Sequence, residues 1–67
     1  MFRQRTAFEI LSAVKETYTG ARGYFVMCRL SLRTGTDLAS LEDGDIRPGL
    51  AEKLAAAVAE ICPDVKL

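Results

Sequence analysis

The most regular hydrophobic pattern in the 67-residue chain lies in residues 50–62, LAEKLAAAVAEIC. Four large apolar residues recur there at three- and four-residue spacing, which places them on one side of an α-helix. They are Leu50, Leu54, Val58 and Ile61. Pro48 suits the first helical position, where no backbone N–H is needed, and Pro63 ends the segment. The pattern predicts that this helix forms the centre of the core.

A second helix is predicted near the N-terminus. Thr6 and Glu9 have the spacing of a capping box, in which each side chain bonds the backbone N–H of the other residue. An apolar stripe follows at helical spacing: Ala7, Ile10, Leu11, Val14 and Tyr18. Because Gly20 favours the end of a helix, we expect this one to cover residues 7–19.

Residues 24–33 are compatible with a helix or a strand. As a helix, the segment places three apolar residues on one side, Phe25, Cys28 and Leu32, with Met27 and Leu30 close enough to widen this face. As a strand, it alternates four apolar residues with others: Val26, Cys28, Leu30 and Leu32. The chain has no second strand-like run to pair with, so a helix is favoured. A strand would need a second copy, as in ribbon-helix-helix dimers, with Arg29, Ser31 and Arg33 on one face.

The middle of the chain predicts one more, shorter helix. Gly35 suits the left-handed position after a helix, and Thr36 suits the N-cap of the next one. A helix over residues 37–43 would direct Leu38 and Leu41 inward, and Gly44 would end it. The expected fold is therefore all-α, a small bundle of four or five short helices in a single domain, residues 1–67.

Charge is balanced overall but divided between the two halves of the chain. Residues 1–35 hold six basic and two acidic residues, whereas residues 36–67 hold three basic and seven acidic. A net charge of zero counts against a dedicated nucleic-acid binder. The uneven distribution suits either a phosphate backbone at the basic end or a head-to-tail contact with a partner.

Catalytic, cofactor and metal signatures are absent from the sequence. There is no histidine, no G-x-S-x-G element and no glycine-rich phosphate loop, so no enzyme activity and no cofactor are expected. The acidic residues between Asp37 and Asp45 do not have the spacing of a calcium-binding loop. Two cysteines without histidine cannot make an ordinary zinc site.

The two cysteines, Cys28 and Cys62, are expected to be buried free thiols, with a disulfide between them as the alternative reading. No apolar run approaches the roughly 18 residues of a membrane span, and no signal-peptide core follows the N-terminus. The sequence therefore predicts a cytoplasmic protein without a membrane segment.

A sequence resemblance suggests a function. Its three elements are a leucine before a Thr-Gly turn (Leu32, Thr34-Gly35), a Glu-x-Gly (Glu42-Asp43-Gly44) and a proline opening the last helix (Pro48). With these elements, residues 24–61 resemble the helix-turn-helix domain of phage Cro and C1-type repressors. The resemblance implies a small transcriptional regulator that binds duplex DNA as a homodimer.

The resemblance also implies which residues contact DNA. Thr36 and Ser40, at the start and middle of the short helix, would reach base edges in the major groove. Arg33 and Arg47, on either side of that helix, would contact phosphates. Two arginines at the N-terminus, Arg3 and Arg5, would form a basic arm along the backbone or minor groove.

Two other interpretations do not involve DNA. In the first, the protein is a helical protein-protein interaction or inhibitor module, because Tyr24, Phe25 and Met27 form an apolar cluster beside a glycine-rich break. Self-association through this cluster, or through the alanine-rich flank of the last helix, is expected because so short a chain supplies only a thin core. In the second, the chain is a compact bundle whose caps serve folding alone.

Overall fold

Three α-helices and one 3₁₀ turn make up the fold. The computed structural model describes residues 5–45 and 47–67, and contains α1 (Ala7–Thr17), α2 (Gly20–Thr34), the 3₁₀ turn (Leu38–Ser40) and α3 (Leu50–Ile61). The described residues form no strand, so the all-α class is confirmed. The expected number of helices, four or five, is too high.

The last helix lies at the centre of the core, as its apolar pattern predicts. α3 packs against both α1 and α2, which contact each other less extensively. Leu54 and Val58 are almost completely buried, and Leu50 is buried as well, whereas Ile61 is only partly buried at the edge of the core. The core therefore forms around one side of α3.

Helix α1 begins as predicted and ends earlier. The Glu9 N–H donates to Thr6 Oγ1 at 3.1 Å, and the Thr6 N–H donates to Glu9 Oε1 at 2.9 Å, which completes the capping box. The helix ends at Thr17 because Tyr18 takes an extended conformation. Gly20 does not end this helix: it is the first residue of α2, with a positive φ of 65°.

Residues 24–33 are helical, which confirms the favoured interpretation, but the apolar side formed by Phe25, Cys28 and Leu32 does not face the core. Val26 and Leu30 are buried, whereas Phe25, Cys28 and Leu32 are exposed. The expectation that Cys28 is a buried thiol is therefore wrong. Two contacts of α2 with neighbouring segments, one steric and one a hydrogen bond, favour this rotation. Gly23 lies against the backbone of Tyr18, and the hydroxyl of Ser31 accepts a bond from the Leu38 N–H at 3.2 Å.

The short helix expected over residues 37–43 is reduced to the 3₁₀ turn. Leu38 and Leu41 are buried, as predicted. The N-cap is Asp37 rather than Thr36, since Asp37 Oδ1 accepts from the Ala39 N–H. The Ser40 hydroxyl donates back to the Asp37 carbonyl at 2.9 Å. Such local side-chain bonds compete with helix propagation, so the turn does not extend.

Pro48 lies before α3 and not at its first position. Residues 47–50 form a tight turn in which the Leu50 N–H donates to the Arg47 carbonyl at 3.3 Å. Gly49 has φ 77° and ψ −8°, the values that the third residue of a type II turn requires. Pro48 and Gly49 belong to this turn, so the helix begins at Leu50.

Candidate interaction surface

The side of α2 that faces away from the core is apolar. We call it the outward face. It consists of five exposed residues: Ala21, Tyr24, Phe25, Cys28 and Leu32. The exposed fractions are 75% for Tyr24, 64% for Phe25 and 84% for Leu32. These are three of the four large apolar residues that are exposed in the described part of the chain, so the apolar surface is concentrated on this one helix.

The outward face is large enough to be a binding surface. Taking about 200 Å² for each large side chain, the exposed parts of Tyr24, Phe25 and Leu32 amount to on the order of 400 Å². The largest apolar patch on a typical monomer is about 300–600 Å² and is often functional. Val26 and Leu30 already attach the opposite side of α2 to the core. The outward face is therefore not needed to hold α2 in place.

A row of arginines borders the outward face along one edge. It consists of Arg22, Arg29 and Arg33, spaced seven and four residues apart on the helix, and all three side chains are exposed. Arg33 forms an ion pair with Glu60 of α3. Among the described residues, no carboxylate lies within ion-pair distance of Arg22 or Arg29, and α2 itself contains no acidic residue. This edge therefore has a local excess of positive charge.

A shallow depression lies where the outward face meets α3. Its volume is about 270 Å³, it is open to solvent, and it is lined by Arg29, Leu32, Arg33 and Ile61. Two of these residues supply apolar walls and two supply guanidinium groups. The depression can accept an apolar side chain and place an adjacent carboxylate beside Arg29 and Arg33.

At the other end of the arginine row, Arg22 packs against an aromatic ring. Its guanidinium lies 5.4 Å from the centre of the Tyr18 ring, within cation–π range. The Tyr18 hydroxyl in turn donates to Asp64 Oδ2 at 3.5 Å. Loss of contact with water and the nearby Asp64 carboxylate raise the pKa of Tyr18. Tyr18 thus restricts the position of Arg22 while leaving its charge available.

Three of the four arginines that the resemblance implies for DNA contacts are exposed, and two of these are paired within the chain. Arg33 bonds Glu60, and Arg47 Nη2 lies 3.2 Å from Asp45 Oδ2. Both are surface pairs, which contribute little stability and exchange readily. Arg5 is exposed. Arg3 lies outside the described residues.

The residues implied for base contacts belong to the segment around the 3₁₀ turn. Thr36 is half-buried, and Ser40 is exposed with its hydroxyl bonded to Asp37. Exposed carboxylates surround this segment: Asp37, Glu42 and Asp43. A three-residue turn has no helical length to lie in a major groove, and carboxylates repel phosphates.

Neither cysteine forms a disulfide. Cys28 is an exposed free thiol on the outward face, and Cys62 is a buried free thiol in the core. Burial raises the pKa of Cys62. Within residues 5–45 and 47–67, no group of three or more potential metal ligands comes together. The helices described there are also too short or too polar to cross a bilayer.

Comparison of the chain with protein-family models, curated proteins and solved structures found no match. The candidate surface therefore depends on the geometry of this chain. Sequence reasoning identified Tyr24 and Phe25 as exposed, together with Met27, which is partly buried against the core. It did not recognise Leu32 or the arginine row as part of this surface. The available signal was Gly23, which lies on the same side of the helix as Leu30 and marks a close helix contact.

Proposed function

We propose that this protein is a small helical protein-interaction module that binds its partner through the outward face of α2. The observation that carries this proposal is the exposure of three large apolar side chains on a helix whose other side already completes the core. Exposing Phe25 and Leu32 to water is unfavourable, and a bound partner removes that cost. An amphipathic surface of this kind suits the docking of a helix.

Binding to duplex DNA as a homodimer, which the sequence resemblance implies, stays a prediction. We favour the interaction module because the segment in the position of a recognition helix is the 3₁₀ turn, with carboxylates around it. The two functions make opposite predictions for labelled random duplex DNA at about 50 mM salt. The interaction module should show no measurable binding, whereas the DNA-binding regulator should bind in a strongly salt-dependent manner.

The proposal is tested by titrating the isotopically labelled protein with a synthetic amphipathic helical peptide that carries leucines along one side. Amide resonances of α2 around Phe25, Cys28 and Leu32 should shift, and the Leu32→Ser variant should lose the binding. Leu67→Ser is the matched control, because Leu67 is 48% exposed and lies outside the outward face. Shifts spread over the whole molecule, or equal losses in both variants, would contradict the proposal.

A further inference from the structure

We infer that the partner is an amphipathic helix with carboxylates along one edge of its apolar stripe, an inference that rests on the proposed function. Three features of α2 support it: the spacing of the apolar residues, the arginine row beside them, and the depression at the C-terminal end. Each feature specifies a different property of the ligand.

The spacing of the apolar residues specifies a helix. Ala21, Phe25, Cys28 and Leu32 follow one another at intervals of four, three and four residues, which keeps them in a straight stripe along three turns of α2. A second helix with the same periodicity can place its side chains between them over the whole length. An extended strand has a two-residue period and would match the stripe poorly.

The arginine row specifies the charge of that helix. Arg22, Arg29 and Arg33 all lie on the same edge of the stripe, and α2 offers them no carboxylate. Carboxylates on the facing edge of a docked helix would form ion pairs with Arg22 and Arg29, and a third would share Arg33 with Glu60. A basic helix would meet like charges along the same edge.

The same row argues against a second copy of this chain as the occupant. Two α2 helices packed antiparallel through their outward faces would bring the two arginine rows together. If the two helices packed parallel instead, the arginines of each would still meet no carboxylate on the other α2.

The depression specifies the register of the docked helix. Leu32 and Ile61 form its apolar walls, and Arg29 and Arg33 lie at its rim. A leucine-sized side chain fits between the walls while a carboxylate one turn away on the same helix reaches either guanidinium. This contact extends the interface from α2 onto α3.

The test compares two labelled peptides that share one leucine stripe and differ only along one edge, which carries glutamates in the first and lysines in the second. Binding is measured by fluorescence anisotropy between about 0.02 M and 0.2 M salt. We expect the glutamate peptide to bind at least tenfold more tightly at the lower salt, and this advantage to shrink as salt screens the charges. The double variant Arg22→Gln/Arg29→Gln should abolish the advantage while retaining binding of the leucine stripe.

Arg47→Gln is the matched control, because Arg47 is an exposed arginine paired with Asp45 outside α2. It should leave both affinities unchanged. Equal binding of the two peptides would overturn the inference about charge and leave the proposed function standing. Failure of both peptides to bind would overturn the proposed function itself.

Two further outcomes identify a different occupant. Sedimentation of the protein alone at micromolar concentration should give a monomer. A dimer that Leu32→Ser dissociates would show that a second copy occupies the outward face, and would overturn the inference. Duplex DNA that displaces the glutamate peptide, and no longer does so in the Arg22→Gln/Arg29→Gln variant, would also overturn it.

Discussion

Gly23 controls how α2 meets the end of α1. A Cβ atom added at this position would collide with the backbone carbonyl of Tyr18, closer than non-bonded atoms approach. The obstacle is backbone and not the end of a flexible side chain, so the two helices would have to separate. Gly23 therefore permits the close passage that directs Val26 and Leu30 into the core.

Replacement of Gly23 by alanine should destabilise the protein, although alanine is the better helix former by about 1 kcal/mol. We expect a loss of about 1–3 kcal/mol from overpacking, measured by urea denaturation. The matched control is Ala21→Gly, an exposed position in the first turns of the same helix, which should also destabilise. If Gly23→Ala were stabilising, helix propensity alone would govern the position and the close contact would not exist.

The two cysteines should differ in reactivity. Cys28 is exposed and Cys62 is buried in the folded protein, and only an accessible thiolate reacts rapidly with a thiol reagent. We expect one thiol to be modified at once under native conditions and the second only as the protein unfolds. Mass spectrometry of proteolytic fragments locates the modified residue. Rapid modification of Cys62 would contradict the buried position of this residue.

The raised pKa of Cys62 makes stability depend on pH above neutrality. The folded protein holds the thiol proton more tightly than the unfolded chain, whose thiol has the ordinary pKa of 9.0. The contribution of the neutral thiol is therefore complete below pH 9.0 and is lost as the pH rises through the higher pKa of the folded state. The slope of unfolding free energy against pH in this window should be less negative in Cys62→Ala than in the parent protein. Equal slopes in the variant and the parent protein would show that Cys62 does not contribute to the pH dependence of stability.

At the scale of single elements, the sequence predicted the structure most accurately where the local sequence pattern and the packing in the fold favour the same conformation. The capping box of α1 and the apolar stripe of α3 involve residues only three or four positions apart, so both could be recognised without knowing the rest of the fold. The rotation of α2 about its own axis could not be recognised in this way. Both of its sides are apolar, and the choice between them is made by contacts with Tyr18 and Leu38, which belong to other segments.

The 3₁₀ turn was predicted as a longer helix for a related reason. The positions of Leu38 and Leu41 fit a helix, and both are buried as expected. Helix length, however, depended on the hydroxyl of Ser40 and the carboxylate of Asp37, which bond the nearby backbone instead of water. The candidate site was affected in the same way: its exposed aromatic residues could be predicted, but its boundary depended on the rotation of α2.

Among the helices, α3 should tolerate core substitutions least. Leu54 is completely buried among residues of the other helices. Leu54→Ala should cost about 2–5 kcal/mol, which is comparable to the whole stability of so small a domain, and leave the protein largely unfolded. Circular dichroism and urea denaturation measure the effect. A loss below about 1 kcal/mol would mean that the stripe of α3 is not the core.

At the scale of the whole molecule, the uneven distribution of charge coincides with the distribution of apolar surface. The outward face lies in the basic half of the chain, and the carboxylates around the 3₁₀ turn lie in the acidic half. Long-range attraction would therefore orient an acidic partner toward α2 before contact. Folding uses one side of α2, and the proposed binding surface lies on the other.

The division of α2 into a side that packs in the core and a side that is exposed is tested most directly by one denaturation experiment on two neighbouring leucines. Leu30 is fully buried and Leu32 is 84% exposed, two positions apart on the same helix. The account predicts that Leu30→Ala loses about 2–5 kcal/mol of unfolding free energy, whereas Leu32→Ala changes it by no more than about 0.5 kcal/mol. Equal losses in the two variants, or a larger loss for Leu32→Ala, would place the outward face in the core and contradict the account.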